Sequence, residues 1–217
     1  MLKLQENSMQ VIGVLSQKGG AGKTTLALHW AVMAMEATSP TAVAVIDTDS
    51  QRSAAEWGER RASETPAVLE ANESNLEQAI DACRDAGMKW VIVDSMPRVE
   101  SPSVKVARLA DLVVIPCGPT VLDISAIGAT IAITERVKVP AVIVMNQCRH
   151  SSTINERAAQ VLADYGLPIC PTFVMRRAAL EDAFVDGSAV TEIEPKGKGA
   201  AEIRESWTWI QQQANNL

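Results

Sequence analysis

Short, unbroken apolar runs punctuate the chain. Residues 10–15, 42–47, 90–94, 112–116 and 141–146 are rich in Val, Ile, Leu and Ala, with almost no polar alternation. Such runs predict strands covered on both faces, the habit of a parallel sheet. Residues 67–70 read as a further short strand, and 169–174 as another. The stretches between them carry helical spacing: from the Gly-rich turn to about residue 37, then 53–61, 74–85, 121–137, 153–165, 177–185 and 200–213. In the third of these, Leu76, Ala79, Ile80 and Cys83 share one face, and Ser74 with Glu77 has capping-box spacing. In the last, Ile203, Trp207 and Ile210 share a face and Arg204 is the lone cation, which predicts a helix docked on the sheet. Strand–helix alternation throughout predicts an α/β fold of three layers, a mostly parallel twisted sheet flanked by helices. Residues 1–8 read as an extension, 9–217 as a single domain, and 194–199 as a surface loop.

Composition narrows the function classes. The chain has 217 residues, 20 Lys or Arg against 26 Asp or Glu, and a formal charge of −6. A globally basic nucleic-acid coat is excluded, so any DNA contact must come from a local patch. The four cysteines, Cys83, Cys117, Cys148 and Cys170, lack paired spacing, and His29 and His150 are far apart, which argues against a zinc site or disulfide framework. Apolar runs reach about five residues, against the roughly 20 of a membrane span. With no leader-like apolar core near Met1, a soluble, cytoplasmic protein is expected.

The chemistry concentrates where strands end. Gln17-Lys18-Gly19-Gly20-Ala21-Gly22-Lys23-Thr24-Thr25 lies between a strand and a helix, the setting of a phosphate loop. Glycines let successive N–H groups curl around phosphate oxygens, and the following helix aims its positive end at the same anion. Lys23 is expected to reach the β and γ phosphates and Thr24 to hold Mg²⁺ through its hydroxyl. The second strand ends Asp47-Thr48-Asp49-Ser50-Gln51, and the 90–94 run ends on Asp94, the Walker B arrangement, with Asp94 expected to bind Mg²⁺ through water.

Gln17 stands where the strict phosphate-loop pattern has glycine, and Lys18 is a second lysine. This Lys-Gly-Gly-x-Gly-Lys-Thr form resembles the deviant Walker A loop of the ParA/MinD family of ATPases, which are P-loop NTPases. The Asp-x-Asp of the second strand and the segment Pro116-Cys117-Gly118-Pro119-Thr120-Val121-Leu122-Asp123 are similar to that family too. Small plasmid-partition ParA proteins of the ParF-like type resemble the chain most, through Trp57 after the Asp-x-Asp and the late Arg177-Ala178-Ala179 to Val190 pattern. The resemblance implies a single ATPase domain over 9–217 with ATP and Mg²⁺ as cofactors. It implies that Lys18 crosses a dimer interface to the partner's nucleotide, that Asp49 polarises water, that Asp47 supports the Mg²⁺ hydration shell, and that Asn146 meets adenine. Thr120 and Asp123 read as a helix cap pair. Ser50 departs from the family's proline, and Ser95-Met96-Pro97-Arg98 departs from its second switch; Arg98 reads equally as an interface residue or a solvated charge.

By the same resemblance, an ATP-bound homodimer binds double-stranded DNA without sequence preference. A ParB-like or ribbon-helix-helix partner stimulates it, and the protein is nucleoid-associated. Candidate DNA contacts are Arg149, Arg176, Arg177, Lys196 and Lys198, although residues 149–217 hold seven Lys or Arg against nine Asp or Glu. Two alternatives stand beside this reading. One is a MinD-like membrane switch, which the weakly basic last helix disfavours. The other is a metabolic ligase or kinase of dethiobiotin-synthetase type, which would not need Lys18 across a subunit boundary.

Overall fold

The computed structural model describes residues 9–97, 100–150 and 153–217. The extension 1–8 and Arg98 lie outside the described residues. Those described form a six-stranded sheet from β1 (Gln10–Val14), β2 (Val43–Asp47), β3 (Ala67–Glu70), β4 (Trp90–Asp94), β5 (Leu112–Cys117) and β6 (Ala141–Met145). All pairings are parallel, in the order β3-β2-β4-β1-β5-β6. Because β1 lies between β4 and β5, the chain reverses its winding direction there. That reversal opens a crevice at the carboxyl ends of the strands, where such sheets bind ligands.

Alternate residues of each strand face opposite layers. Ile12, Val14, Val43, Val45 and Ile92 pack with α1 (Lys23–Ala37) and α9 (Lys198–Asn215). Val11, Ala44, Ile46, Val91 and Val93 pack with α3 (Leu76–Asp85), α4 (Glu100–Leu109), α5 (Val121–Val137) and α6 (Thr153–Ala163). The first layer is completed by α2 (Ser53–Arg60), α7 (Ala178–Asp182) and α8 (Val190–Ile193). Strands buried on both sides explain the apolar runs in the sequence.

Helix α1 is buried on every side from Leu26 to Ala34, because α9 covers the face that the sheet does not. Trp30 Nε1 donates to Ser206 Oγ at 3.0 Å, and His29 takes Val190 N–H on Nδ1 at 3.3 Å while its Nε2 lies 3.1 Å from Leu180 O. The docking face expected of the last helix is present: Ile203, Trp207 and Ile210 are buried. Among the described residues no helix is long and apolar enough to cross a membrane.

Three sequence expectations need correction, and one helix was not expected. Residues 169–174 form no strand; isolated bridges at Ile143–Ile169 and Cys148–Met175 are all that remains, because Pro171 has no N–H to give a ladder. Helix α3 begins at Leu76, and Ser74 instead donates to Asn72 Oδ1, so the Ser74–Glu77 box does not form. Residues 177–185 are α7 followed by a 3₁₀ turn, Ala183–Asp186, not one helix. Helix α4, with Val104, Val106 and Ala107 buried, has no counterpart in the sequence reading.

Candidate functional site

The phosphate loop occupies the crevice beside β1. Gly22 caps α1 with φ of 84°, a left-handed backbone, and a Cβ there would sit 2.2 Å from Asn146 Nδ2; only glycine fits. Two side chains from the end of β6 hold the loop in place. Asn146 Nδ2 donates to Ala21 O at 2.9 Å, and Gln147 Nε2 donates to Gly20 O at 2.8 Å. Asn146 is buried, and its Nδ2 braces the phosphate loop. Gln147 was not singled out by sequence reasoning; its place directly after Asn146, just past an apolar strand, is the signal that was there to find.

Lys23 is 7% exposed, and burial lowers its pKa while Asp94 and Asp49 pull it back up. Thr24 Oγ1 donates to Asp94 Oδ2 at 2.6 Å, from helix α1 to the end of β4. Burial pushes the Asp94 carboxyl up to about 7 against the Thr24 hydrogen bond, and its Oδ1 has no partner among the described residues. An orphaned, fully buried carboxylate oxygen beside a hydroxyl and a row of loop amides suits a hydrated divalent cation that carries phosphates. The residues present therefore fit Mg²⁺ and a nucleotide.

The Asp-x-Asp turn is organised by its own carboxylates. Asp47 Oδ1 accepts Asp49 N–H at 2.9 Å, and Oδ2 accepts Ala54 N–H and Ala55 N–H at 2.9 and 3.1 Å. Asp47 thus caps α2 from inside the fold, since Arg52 at the formal cap position makes no side-chain cap bond. Asp49 accepts Gln51 N–H at 3.0 Å. Thr48 anchors the turn to β4 through Asp94 O, with N–H at 3.0 Å and Oγ1 at 2.8 Å. Beyond the turn lies a groove of about 420 Å³ lined by Asp49, Arg52, Glu70, Asn72 and Met96.

Lys18 stands at the loop's outer end, and its ammonium pairs with Asp123 Oδ1. The other carboxylate oxygen, Oδ2, accepts Thr120 N–H at 3.1 Å as part of the expected capping box on α5. Burial pushes Asp123 up, but the bonds from Lys18 and Thr120 outweigh it and hold its pKa below the ordinary carboxylate range. Val121 and Leu122, 81% and 73% exposed, flank this pair.

The basic candidates divide. The Cys148–Met175 bridge sets Arg149 and Arg176 near each other at the β6 end, both exposed. Lys196 and Lys198 are exposed around the start of α9. Arg177 is different: its Nε donates to Glu202 Oε2 at 3.0 Å in a two-pronged, largely buried pair. That removes it from the free cations, a correction to the sequence reading. Among the described residues no cluster of His, Cys, Asp and Glu forms a metal site of its own, and the four cysteines are buried thiols.

The model of the VirC1 protein family matches residues 9–190. The maintenance of carboxysome distribution protein A of Halothiobacillus neapolitanus is 26% identical over 208 residues, covering 92% of this chain and 94% of that protein. Among solved structures, the septum site-determining protein MinD of Pyrococcus horikoshii complexed with Mg-ADP superposes with a TM-score of 0.73 at 14% identity, over 95% of this chain and 97% of that one. Cobyrinic acid a,c-diamide synthase of Mycobacterium smegmatis, with a bound ATP analogue and magnesium, reaches 0.77 at 18% identity, over 94% of each chain. The sheet order, the deviant phosphate loop and the family match together make this chain a member of the VirC1 family, within the ParA/MinD group of deviant Walker A ATPases.

Proposed function

We propose that this chain is a positioning ATPase that hydrolyses ATP to ADP and phosphate and is switched by ATP-dependent dimerisation. The observation that carries the reading is the pairing of two differently placed lysines in one loop. Lys23 is buried within the charge field of Asp94, whereas the Lys18 side chain is 35% exposed at the loop's rim. A loop serving only its own subunit's nucleotide has use for the first alone. The rim lysine beside an exposed apolar pair, Val121 and Leu122, supports a contact with a second copy, where a donated cation offsets repulsion between two nucleotides.

In the bound state Mg²⁺ would neutralise charge across the phosphates. Thr24 and Asp94 would hold it, and Gly19, Gly20, Ala21, Gly22 and Thr25 would give amides to the nucleotide. Lys23 draws electron density from the phosphates, and Asp49 orients the attacking water. Asp47 keeps Asp49 in place and stabilises α2. The likeness to the carboxysome distribution protein supports a positioning role in general. The cargo is DNA or a protein body, and a partner on it stimulates hydrolysis.

Arg149, Arg176, Lys196 and Lys198 form the candidate contact with double-stranded DNA. A dimer would double this small patch, which is how an acidic chain gains useful affinity. DNA binding measured with and without ATP, at several salt concentrations, tests it. Binding should need ATP and fall with a log–log salt slope of about −0.9 per phosphate contact. Binding of equal strength without nucleotide would sink the proposal. A Lys18→Ala variant with full turnover would favour a metabolic enzyme of this fold.

A further inference from the structure

Arg52 has a β-carbon and yet sits at φ of 56°, in the left-handed region. Residues other than glycine and Asn/Asp avoid it, so something must hold this one there. The holder is visible. Arg52 Nε donates to Glu70 Oε2 at 2.7 Å and Nη2 to Glu70 Oε1 at 2.8 Å, a fork-to-fork pair; Nη2 also reaches Glu59 Oε1 at 2.9 Å. One guanidinium thus ties the Asp47–Gln51 turn to the edge strand β3 and to α2. The same residue's backbone N–H donates to Asp49 O at 2.9 Å, while Gln51 N–H holds the Asp49 carboxylate.

We propose that Arg52 is a positioning residue for hydrolysis: clamped onto Glu70 and Glu59, its guanidinium keeps its own backbone left-handed and thereby fixes the turn that aims Asp49. This rests on the reading of Asp49 as the residue that orients water. Single exposed ion pairs contribute little, but a bidentate pair with a third carboxylate is a network, and its task is only to select one loop conformation. The side-chain partners of Arg52 are Glu70 and Glu59 rather than Lys23 or the loop backbone, so nucleotide affinity should be independent of the clamp.

The test uses the full chain with Mg-ATP. Glu70→Gln keeps shape and exposure but removes the charge. It should lower kcat about tenfold, well inside the roughly 10²-fold cost of a 1 Å misplacement, with KM for ATP unchanged. Amide exchange at Arg52 should speed up, because its bond to Asp49 O loosens. Adding Arg52→Gly to Glu70→Gln should restore most of kcat, since glycine adopts the left-handed backbone without a clamp. A kcat within twofold of the parent in Glu70→Gln overturns the proposal, as does a double variant no better than the single one. Asp49→Ala separates the two readings. If that variant keeps full turnover, the role of Asp49 fails; the clamp is then judged on exchange at Arg52, and unchanged exchange in Glu70→Gln overturns it.

Discussion

Asp123 uses one carboxylate oxygen to cap α5 and the other to hold the ammonium of Lys18, 105 residues earlier in the chain. The lysine proposed to act across a subunit boundary is therefore tied to its own subunit. Asp123→Asn keeps an acceptor for Thr120 but removes the charge facing Lys18. ATP-dependent dimers of this variant should form at about fivefold lower ATP, the equivalent of a partly buried pair worth about 1 kcal/mol. Lys18→Ala should form no dimer at any ATP concentration. Light scattering across an ATP titration measures both.

Asp94→Asn should separate magnesium binding from nucleotide binding. The amide retains a partner for Thr24 but not the charge for a cation. Magnesium-dependent nucleotide affinity should fall about 10- to 100-fold, while the weaker affinity measured in a chelator stays near that of the parent. Titration with a fluorescent nucleotide, with and without magnesium, distinguishes the two terms.

Buried His29 predicts acid lability. Burial lowers its pKa from 6.5 to about 4, against smaller opposing effects from Leu180 O and Glu192. Between those values the unfolded chain binds more protons at this site than the folded one, so stability rises with pH across that window and levels off above it. The penalty should reach about 2 kcal/mol by pH 5 and about 3 kcal/mol near pH 4. Denaturant unfolding at pH 7, 6 and 5 measures it. His29→Gln should flatten the slope over this range, and an unaltered slope would assign the acid loss to other groups.

Two tryptophans in one layer should respond differently to the same change. Trp30 Nε1 is bonded to Ser206, whereas Trp207 Nε1 is buried with no partner among the described residues. Trp30→Phe loses volume and leaves a buried hydroxyl less satisfied. Trp207→Phe loses volume but also removes an unmet donor. Trp30→Phe should be the more destabilising by about 1 kcal/mol, read from denaturation midpoints at constant slope.

The parts of the site legible in the sequence are those written in consecutive residues. The Lys18–Thr25 loop, the Asp47–Gln51 turn and Asp94 each follow an apolar strand, so their place at one end of a parallel sheet follows from pattern alone. What stayed hidden depends on pairs far apart in the chain. Nothing local links Lys18 to Asp123, Arg177 to Glu202, or Arg52 to Glu70. The capping of α2 by Asp47 was hidden for a related reason: the amides it accepts lie seven and eight residues on. Pro171 was visible inside a run read as strand, and its missing N–H should have outweighed the β-branched neighbours.

The sandwiching of α1 has a consequence for synthesis. The nucleotide-binding loop is translated before its support: the helix behind it acquires its outer cover only from residues 180–214, through His29, Trp30 and their partners. A chain still on the ribosome carries that helix with its Trp30 face bare. Affinity for nucleotide should thus arrive in one step, once residues 180–214 have emerged and docked.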